Sequence, residues 1–351
     1  MSTPAQLVRT RGTKRVTTTD IARAAGVSAA TVSKVLNGRS EVSMRTRMRV
    51  ESLLLQQKYE RRPPGRGGPP PILDLLLREV GNPWGMEVIR GALEAAAEVG
   101  LNVVLSVLPD GARGCRWLDQ ICARGSRGII VLLARLTDTD KAAVRARGLP
   151  LAVIEPRGEP DPNVATVVAT NWAGGYAATR HLLELGHERI GIISGPQDLL
   201  CSHVRMSGYC EALKAGDLPL DGGLVRWGDF DVDAVFEQAI AMLSMADRPT
   251  AIFAGSDLQA MGVFEAARLQ QLSVPAQLSV VGFDDLPQSR WMSPPLTTVR
   301  QPLAEMAARA VRLVLEQGHE EQKEGRSVEV ATTLVVRDST GPPPLGRRRS
   351  L

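Results

Sequence analysis

The sequence predicts an all-α helix-turn-helix headpiece followed by a larger α/β core of two lobes, each built on a doubly wound parallel sheet. Three observations predict it. The first sixty or so residues carry short helical patterns and excess positive charge. The run PPGRGGPPP at 63–71 then interrupts all regular structure. Beyond it, short apolar runs alternate with amphipathic helical stretches, a pattern typical of parallel sheets covered on both faces.

Composition narrows the class of protein. The 351 residues fit two or three domains, and 44% hydrophobic residues fit a globular chain. No uncharged apolar stretch is long enough to span a bilayer. The basic amino terminus is followed by no apolar run, which indicates a cytoplasmic protein rather than a secreted one. Four scattered cysteines and four isolated histidines favour neither a disulfide framework nor a metal centre, so we expect no metal and no cofactor.

The charge is unevenly distributed along the chain. The formal net charge is only +4, yet residues 1–68 hold fourteen Lys and Arg against four Asp and Glu. Residues 69–346 are acidic by comparison. A small basic segment joined to an acidic body predicts a module that binds a polyanion such as DNA. A solvated basic tail would produce the same charge, so the motifs have to decide.

Residues 17–37 have the spacing of a helix-turn-helix. Thr17 can cap a first helix, Gly26 permits a tight turn, and Ser28 can cap a second helix whose first residues then face outward. A recognition helix presents its amino-terminal residues to the major groove in this way. A third helix is expected near 43–58. A helical hairpin without a role in DNA binding is the alternative. The residues expected to contact DNA are Thr17, Ser28, Ala29, Ala30, Thr31, Ser33, Lys34, Asn37 and, in the linker, Arg66.

The organisation along the chain follows from these patterns. We expect a disordered basic arm at 1–16, the headpiece at 17–62, the linker at 63–71, the core at 72–340 and a disordered tail at 341–351. The core divides into lobe 1, at about 72–169 and 298–327, and lobe 2, at about 170–297 and 328–340. Predicted strands lie at 72–77, 103–108, 128–133, 151–154, 190–193, 250–254 and 278–282. Ligands of such folds bind beyond the carboxyl ends of the strands, so a cleft between the lobes is the expected ligand site.

With these motifs the chain resembles the lactose-repressor (LacI/GalR) family of bacterial transcription regulators. TDIARAAGVSAATVSKVLNG resembles the family's headpiece, and Asn82-Pro83-Trp84 resembles its Asn-Pro-Phe loop. Further signatures are HLLELGHERIGIISGP (181–196), RMSGYCEAL (205–213), LSVVGFDDLP (278–287) and SPPLTTVRQP (293–302). The resemblance covers roughly residues 17–340. It implies a homodimeric regulator, most often a repressor, that binds a near-palindromic operator and has a core like the periplasmic sugar-binding proteins.

Three departures from the family pattern stand out. The family's linker usually forms a short helix that carries a leucine into the minor groove, whereas residues 63–71 contain no leucine and their prolines forbid a helix. We therefore expect a non-helical linker, which either inserts Arg66 into a narrow minor groove or acts as a semi-stiff tether. In addition, Thr170 stands where the family usually has Asp, and Ser256 where it usually has Asn.

The resemblance also implies which residues bind the effector. Arg205 opens the R-x-x-G-Y pattern, whose arginine holds sugar hydroxyls or a carboxylate, and Asp284 matches an aspartate that accepts from hydroxyls. Phe230 matches an aromatic residue that packs on a sugar ring. This chemistry suits a sugar or short glycoside. Weaker matches are Trp84, Glu155, Asn171, Ser256 and Asp257.

Structural roles are the alternatives at several of these positions. Trp84 and Phe230 could belong to the core, and Asp257 could be a helix N-cap. Arg205 and Asp284 could pair with each other only to hold the empty cleft.

Two other function classes compete with a ligand-controlled regulator. An enzyme is not expected, because the sequence contains no G-x-G-x-x-G after a strand and no Walker A, G-x-S-x-G or H-E-x-x-H motif. No catalytic residue is therefore predicted. A periplasmic binding protein would need a signal peptide, and it would not need the helix-turn-helix.

Overall fold

The computed structural model describes residues 18–36, 46, 48–50, 53, 71–108, 116–133, 136–158, 160–317 and 325–344. The chain divides into two compact units, Met1–Pro69 and Pro70–Leu351. The first contains the headpiece and the second is the core. In the part of the chain that is described, no helix has both the length and the apolar character needed to cross a bilayer.

The headpiece contains two short helices, α1 (Thr18–Ala25) and α2 (Ala29–Leu36). Gly26 forms the turn between them with a φ of 66°, a conformation that glycine adopts without strain. The Ser28 hydroxyl accepts a hydrogen bond from the backbone N–H of Thr31 at 3.1 Å, so Ser28 caps α2 as its sequence position predicts. The described residues after α2, at 46, 48–50 and 53, are helical. The buried apolar cluster of this unit consists of Ile21, Ala22, Ala25, Val32, Val35 and Val50.

Lobe 1 of the core is a six-stranded parallel sheet between two pairs of helices. Its strands are β1 (Ile72–Leu77), β2 (Asn102–Val107), β3 (Ile129–Leu132), β4 (Leu151–Ile154), β5 (Ala165–Ala169) and β11 (Ser327–Val330). Its helices are α3 (Pro83–Glu98), α4 (Arg116–Ala123), α5 (Asp138–Ala146) and α10 (Leu303–Gln317). The strand order is β11-β5-β4-β3-β1-β2. Apolar side chains of α3 and α10 bury one face of the sheet, and those of α4 and α5 bury the other.

Lobe 2 repeats this arrangement. Its strands are β6 (Ile190–Ser194), β7 (Val225–Trp227), β8 (Ala251–Ala254), β9 (Ser279–Asp284), β10 (Thr297–Arg300) and β12 (Thr333–Val335). Its helices are α6 (Asn171–Glu184), α7 (Leu200–Ala215), α8 (Val232–Leu243) and α9 (Asp257–Leu269). The order is β12-β10-β9-β8-β6-β7, and β12 pairs with β10 in the antiparallel direction. Helices α6 and α7 cover one face of the sheet, and α8 and α9 cover the other.

The described chain passes between the lobes at three places, after β5, after β10 and after β11. Two of the predicted lobe boundaries are therefore wrong by a few residues. The chain leaves lobe 2 after Arg300 rather than at 298, because β10 pairs with β9 over its whole length before the crossing. It leaves lobe 1 after Val330 rather than at 327, because β11 first completes the edge of the lobe 1 sheet beside β5.

The tail predicted to be disordered from residue 341 is held in place at its start. The backbone N–H of Gly341 donates to the Ser279 hydroxyl at 3.0 Å, and its carbonyl lies 2.9 Å from Nε2 of His187. Two residues earlier, the hydroxyl of Ser339 accepts from the backbone N–H of Thr297 at 2.8 Å. A proline-rich segment needs no secondary structure to be ordered when its polar groups find such partners. Residues 345–351 lie outside the described residues.

Candidate functional site

A closed-in chamber lies between the two lobes, at the carboxyl ends of their strands. It encloses about 380 Å³ of empty space and is called the deep chamber below. The residues that line it are Asn82, Trp84, Leu133 and Glu155 from lobe 1, and Cys201, Arg205, Phe230, Ser256, Leu258 and Asp284 from lobe 2. Because both lobes contribute walls, a molecule bound here would touch the two halves of the core at once.

Several chamber residues lie at strand ends with unusual backbone conformations. Leu133 and Glu155 directly follow β3 and β4 with φ values of 47° and 50°, and Asp284 ends β9 with a φ of 121°. L-residues with such angles cost on the order of 1–3 kcal/mol each and persist only where the surroundings hold them. The strand ends therefore turn sharply at the chamber and bring these side chains to its wall.

Arg205 is the central cation of the chamber. It lies on α7 and is only 3% exposed. Its Nε donates to Oδ1 of Asn171 at 2.8 Å, and its Nη1 donates to the carbonyl of Gly255 at 2.5 Å. The guanidinium carbon lies 3.7 Å from the ring centroid of Phe283 and 5.5 Å from that of Phe230. Within the described residues Nη2 makes no hydrogen bond, so this side of the fork remains for a ligand.

Glu155 supplies a buried carboxylate from the opposite lobe. Its Oε1 accepts from the backbone N–H of Ala169 at 2.8 Å and from Nδ2 of Asn171 at 3.1 Å. Burial raises the pKa of Glu155, and the positive charge of Arg205 opposes that rise. The Asn171 amide thus bonds Glu155 on one side and Arg205 on the other. Asn171 itself does not line the chamber, so it positions these two groups from behind the wall.

Asp284 is the second carboxyl group of the chamber. Nε2 of Gln301 donates to its Oδ1 at 2.6 Å. Burial raises the pKa of Asp284 to about 7, and the nearby Arg205 guanidinium opposes the rise. In the described part of the chain the two residues form no ion pair with each other, which disfavours the alternative of a purely structural pair. Asp284 can accept a hydrogen bond from a ligand once it is ionised.

Asp257 and Ser256 take different roles from those considered in the sequence. The N-cap of α9 is Ser256, whose hydroxyl accepts from the backbone N–H of Gln259 at 3.1 Å, and not Asp257. The Asp257 carboxylate is fully buried behind the chamber. It accepts from the backbone N–H of Leu286 at 2.7 Å and from the Thr298 hydroxyl, and so ties α9 to β10 and to the end of β9.

The two predicted aromatic residues both line the chamber rather than only the core. Trp84 begins the first turn of α3, where its backbone N–H donates to Oδ1 of Asn82 at 2.9 Å. Phe230 packs against Gly195 so closely that a Cβ at this glycine would lie 2.1 Å from the ring. Gly195 therefore makes room for the Phe230 ring.

Sequence reasoning missed five residues of the site. Asn82 and Gln301 lie within quoted motifs but were given no role. Cys201 precedes Arg205 by one helical turn, and this spacing places both on one face of α7. Burial raises the pKa of the Cys201 thiol to about 12, so it is a neutral wall residue. The last two, Leu133 and Leu258, have apolar side chains that carry no chemical signal.

The residues expected to contact DNA are only partly described. Ser28 and Lys34 are exposed, and the Ser28 and Thr31 hydroxyls lie 2.9 Å apart at the start of α2. Thr17, Asn37 and Arg66 lie outside the described residues, as do the side chains of Ala29, Ala30 and Ser33. Their contacts with DNA stay predictions.

Two family models match the chain. The model described as "Bacterial regulatory proteins, lacI family" matches residues 17–61, and that of a "Periplasmic binding protein-like domain" matches residues 179–340. The transcriptional repressor CytR of Escherichia coli strain K12 is 32% identical over 325 residues, which cover 92% of this chain and 95% of CytR. The chain belongs to the LacI family of bacterial transcriptional regulators. The transcriptional regulator DegA of Bacillus subtilis strain 168 is 30% identical over 93% of this chain and 99% of its own.

Solved structures of LacI-family regulators share this fold. A complex of the regulator CelR with cellobiose is 30% identical and superposes with a TM-score of 0.71, covering 93% of this chain and all of CelR. The lac repressor dimer bound to its operator and the anti-inducer ONPF is 26% identical, with a TM-score of 0.69 and the same coverage. This LacI-family chain is a DNA-binding transcriptional regulator with a ligand-binding core, and regulators of this family are not enzymes.

Proposed function

We propose that this LacI-family regulator is a repressor that binds a near-palindromic operator as a homodimer in the cytoplasm and is controlled by a sugar or short glycoside in the deep chamber. The convergence of one buried guanidinium with two buried carboxyl groups carries this proposal. Arg205 offers an unused donor edge, and Glu155 and Asp284 offer acceptors. Trp84 and Phe230 add apolar faces that can cover the C–H side of a ring.

A polyol fits these groups because each hydroxyl both donates and accepts. Burying charges is costly unless each finds a partner, and no partner within the chain uses the last donor edge of Arg205. The lac repressor and CelR complexes support the class of ligand, since the printed ligand of CelR is the sugar cellobiose.

The chamber also supplies a route for control. Glu155 belongs to lobe 1, whereas Arg205 and Asp284 belong to lobe 2. A ligand that bonds all three groups binds the closed arrangement of the lobes more tightly than an open one. It therefore shifts the population toward closure, and it can change operator affinity only by this difference.

The DNA side of the proposal places the two recognition helices of a dimer about one helical turn apart on the operator. Lys34 then reaches a base edge or a phosphate, and the small side chains of Ala29 and Ala30 can offer only methyl contacts, as to thymine. For Arg66, a minor-groove contact and a simple tether remain the two alternatives. Replacing Arg66 with alanine distinguishes them, because operator affinity at low salt stays unchanged only if the linker is a tether.

A thermal-shift screen of neutral mono- and oligosaccharides tests the ligand class. A ligand at about 100 times its Kd stabilises the folded chain by about 2.7 kcal/mol, which is readily seen as a higher Tm. We expect a sugar to raise the Tm of the natural chain and of Arg180→Ala, since Arg180 is exposed on α6 and pairs only with Glu184. We expect no rise for Arg205→Ala. If no sugar shifts the Tm of the natural chain, or if Arg205→Ala responds equally, the proposal is wrong.

A further inference from the structure

A second chamber, called the outer chamber, adjoins the deep chamber. It encloses about 880 Å³ of space, part of it open to solvent. The residues common to both chambers are Asn82, Trp84, Leu133 and Phe230. This set, called the collar, forms a continuous passage with aromatic walls between the two spaces. A ligand that fills the deep chamber would therefore have room to continue through the collar.

Contacts between the lobes bound the outer chamber. Arg157, from the loop after β4 in lobe 1, donates through Nε to Oδ2 of Asp198 in lobe 2 at 3.0 Å. The backbone N–H of Gly158 donates to the carbonyl of Asp198 at 3.1 Å, and Arg157 forms a backbone bridge with Leu199. Arg157 and Leu199 both line the outer chamber. The space is thus enclosed by both lobes and closed on one side by a link between them.

The wall of the outer chamber favours a neutral polar unit over an anion. Three carboxylates line it, from Glu79, Asp229 and Asp231, against two guanidinium groups. The Arg157 guanidinium is already engaged by Asp198. A phosphate or carboxylate placed here would face the acidic residues, whereas hydroxyl groups can donate to them. The apolar faces of Trp84 and Phe230 at the collar suit the C–H face of a ring.

Gly85 keeps the outer chamber open. It lies on α3 next to Trp84 and lines the outer chamber but not the deep one. A Cβ built at this position meets no atom within 4 Å, so a side chain here would occupy empty space rather than clash. A larger residue at this position would therefore fill the outer chamber without disturbing the deep one.

We propose that the effector is a neutral disaccharide, with one ring in the deep chamber and its second ring beyond the collar in the outer chamber. This inference rests on the proposed function. It adds the outer chamber as a second sugar subsite, and it makes Gly85 a residue that determines how long a ligand is accepted.

Isothermal titration on the full chain tests the subsite. The probes are the disaccharides cellobiose, lactose, maltose and trehalose, and the methyl glycosides of glucose and galactose. We expect at least one disaccharide to bind ten or more times more tightly than the methyl glycosides of its own rings. We expect Gly85→Leu to weaken that disaccharide at least tenfold and to leave methyl glycoside binding unchanged, with Gly85→Ala intermediate. The matched control is Gly222→Leu, because a Cβ at Gly222 also meets no atom within 4 Å and Gly222 lines neither chamber.

The outcomes separate the two levels of the account. If disaccharides bind no more tightly than methyl glycosides, or if Gly85→Leu weakens both equally, the second subsite is wrong while the sugar effector stands. If no probe of either size binds the natural chain, the sugar effector itself is wrong. The Tm of each variant without ligand shows whether it is folded, and Gly85→Ala provides the smaller change should Gly85→Leu melt early.

Discussion

The contact between α6 and α7 offers a sharp test of the structure, through the substitution Gly208→Ala. A Cβ at Gly208 would lie 2.3 Å from the carbonyl oxygen of Trp172 and 2.7 Å from the backbone nitrogen of Tyr176. The first distance is about 1 Å short of an ordinary contact of 3.4 Å, and backbone atoms cannot rotate away as a side chain would. The two helices must therefore move apart by roughly that amount.

The sign and size of the effect follow from two opposing contributions. Alanine in a helix is intrinsically better than glycine by roughly 0.5–1 kcal/mol. Overpacking a tight contact costs typically 1–3 kcal/mol, occasionally more, and a clash with backbone lies at the upper end. We therefore expect a net loss of about 2 kcal/mol in the free energy of unfolding. At about 2–4 °C per kcal/mol for a unit of this size, the Tm should fall by about 4–8 °C.

The same substitution should weaken ligand binding. Asn171 begins α6 and Arg205 lies on α7, and the 2.8 Å hydrogen bond between them cannot survive a separation of about 1 Å. A hydrogen bond to a charged group is worth about 1.5–3 kcal/mol, so affinity for an effector should fall at least tenfold.

Thermal denaturation followed by circular dichroism, together with isothermal titration, measures both effects. Gly222→Ala is the control, since a Cβ at Gly222 meets nothing within 4 Å and should leave both the Tm and the affinity unchanged. If Gly208→Ala melts within 1 °C of the natural chain, the close packing of α6 on α7 is refuted, and with it the support assigned to Arg205.

Three further predictions concern pH, the link between the lobes and DNA. A ligand hydroxyl that donates to Asp284 lowers its pKa from about 7, so binding releases a proton; effector affinity by titration should be about tenfold weaker at pH 6 than at pH 8, and Asp284→Asn should be flat across that range. Asp198→Asn removes a half-exposed ion pair with Arg157 that is worth about 1 kcal/mol or less, so stopped-flow release of the effector should quicken by up to about fivefold while the Tm barely changes; an unchanged release rate would mean that the link does not hold the closed lobes. Lys34→Ala should cost about 1–3 kcal/mol of operator affinity if it contacts a base, and equal binding of operator and random DNA by the variant and the natural chain would remove Lys34 from the interface.

The predicted strands are those whose apolar residues run together, as in β3 and β8, which are buried throughout. The missed strands β7, β11 and β12 are short and lie at sheet edges, where a strand needs no continuous apolar run. Strands β5 and β10 are central but contain buried threonines. In β5 the hydroxyl of Thr166 is satisfied by the carbonyl of Val164 at 3.1 Å, a local contact that an apolar pattern does not reveal. The same weakness of pattern misplaced two lobe boundaries.

The site was predictable where chemistry and motif coincide and not where geometry alone decides. Arg205, Phe230 and Asp284 are charged or aromatic residues in family motifs, and all three line the deep chamber. Asn171 and Asp257 lie in similar motifs but act from behind the wall, and one sequence cannot show on which side of a wall a polar group lies. The left-handed backbone at the strand ends, the collar and the outer chamber arise from the meeting of two lobes, which no local pattern encodes.

The most direct test of the central claim is the operator affinity of Arg205→Ala, measured by fluorescence anisotropy with and without a sugar that binds the natural chain. The account predicts that the variant binds operator as the natural chain does without ligand, and that the sugar no longer changes that affinity. Arg180→Ala, altered on the exposed face of α6, should keep the full response. A variant that still responds to the sugar, or one that loses operator binding with and without it, would contradict the claim that Arg205 couples the chamber to DNA.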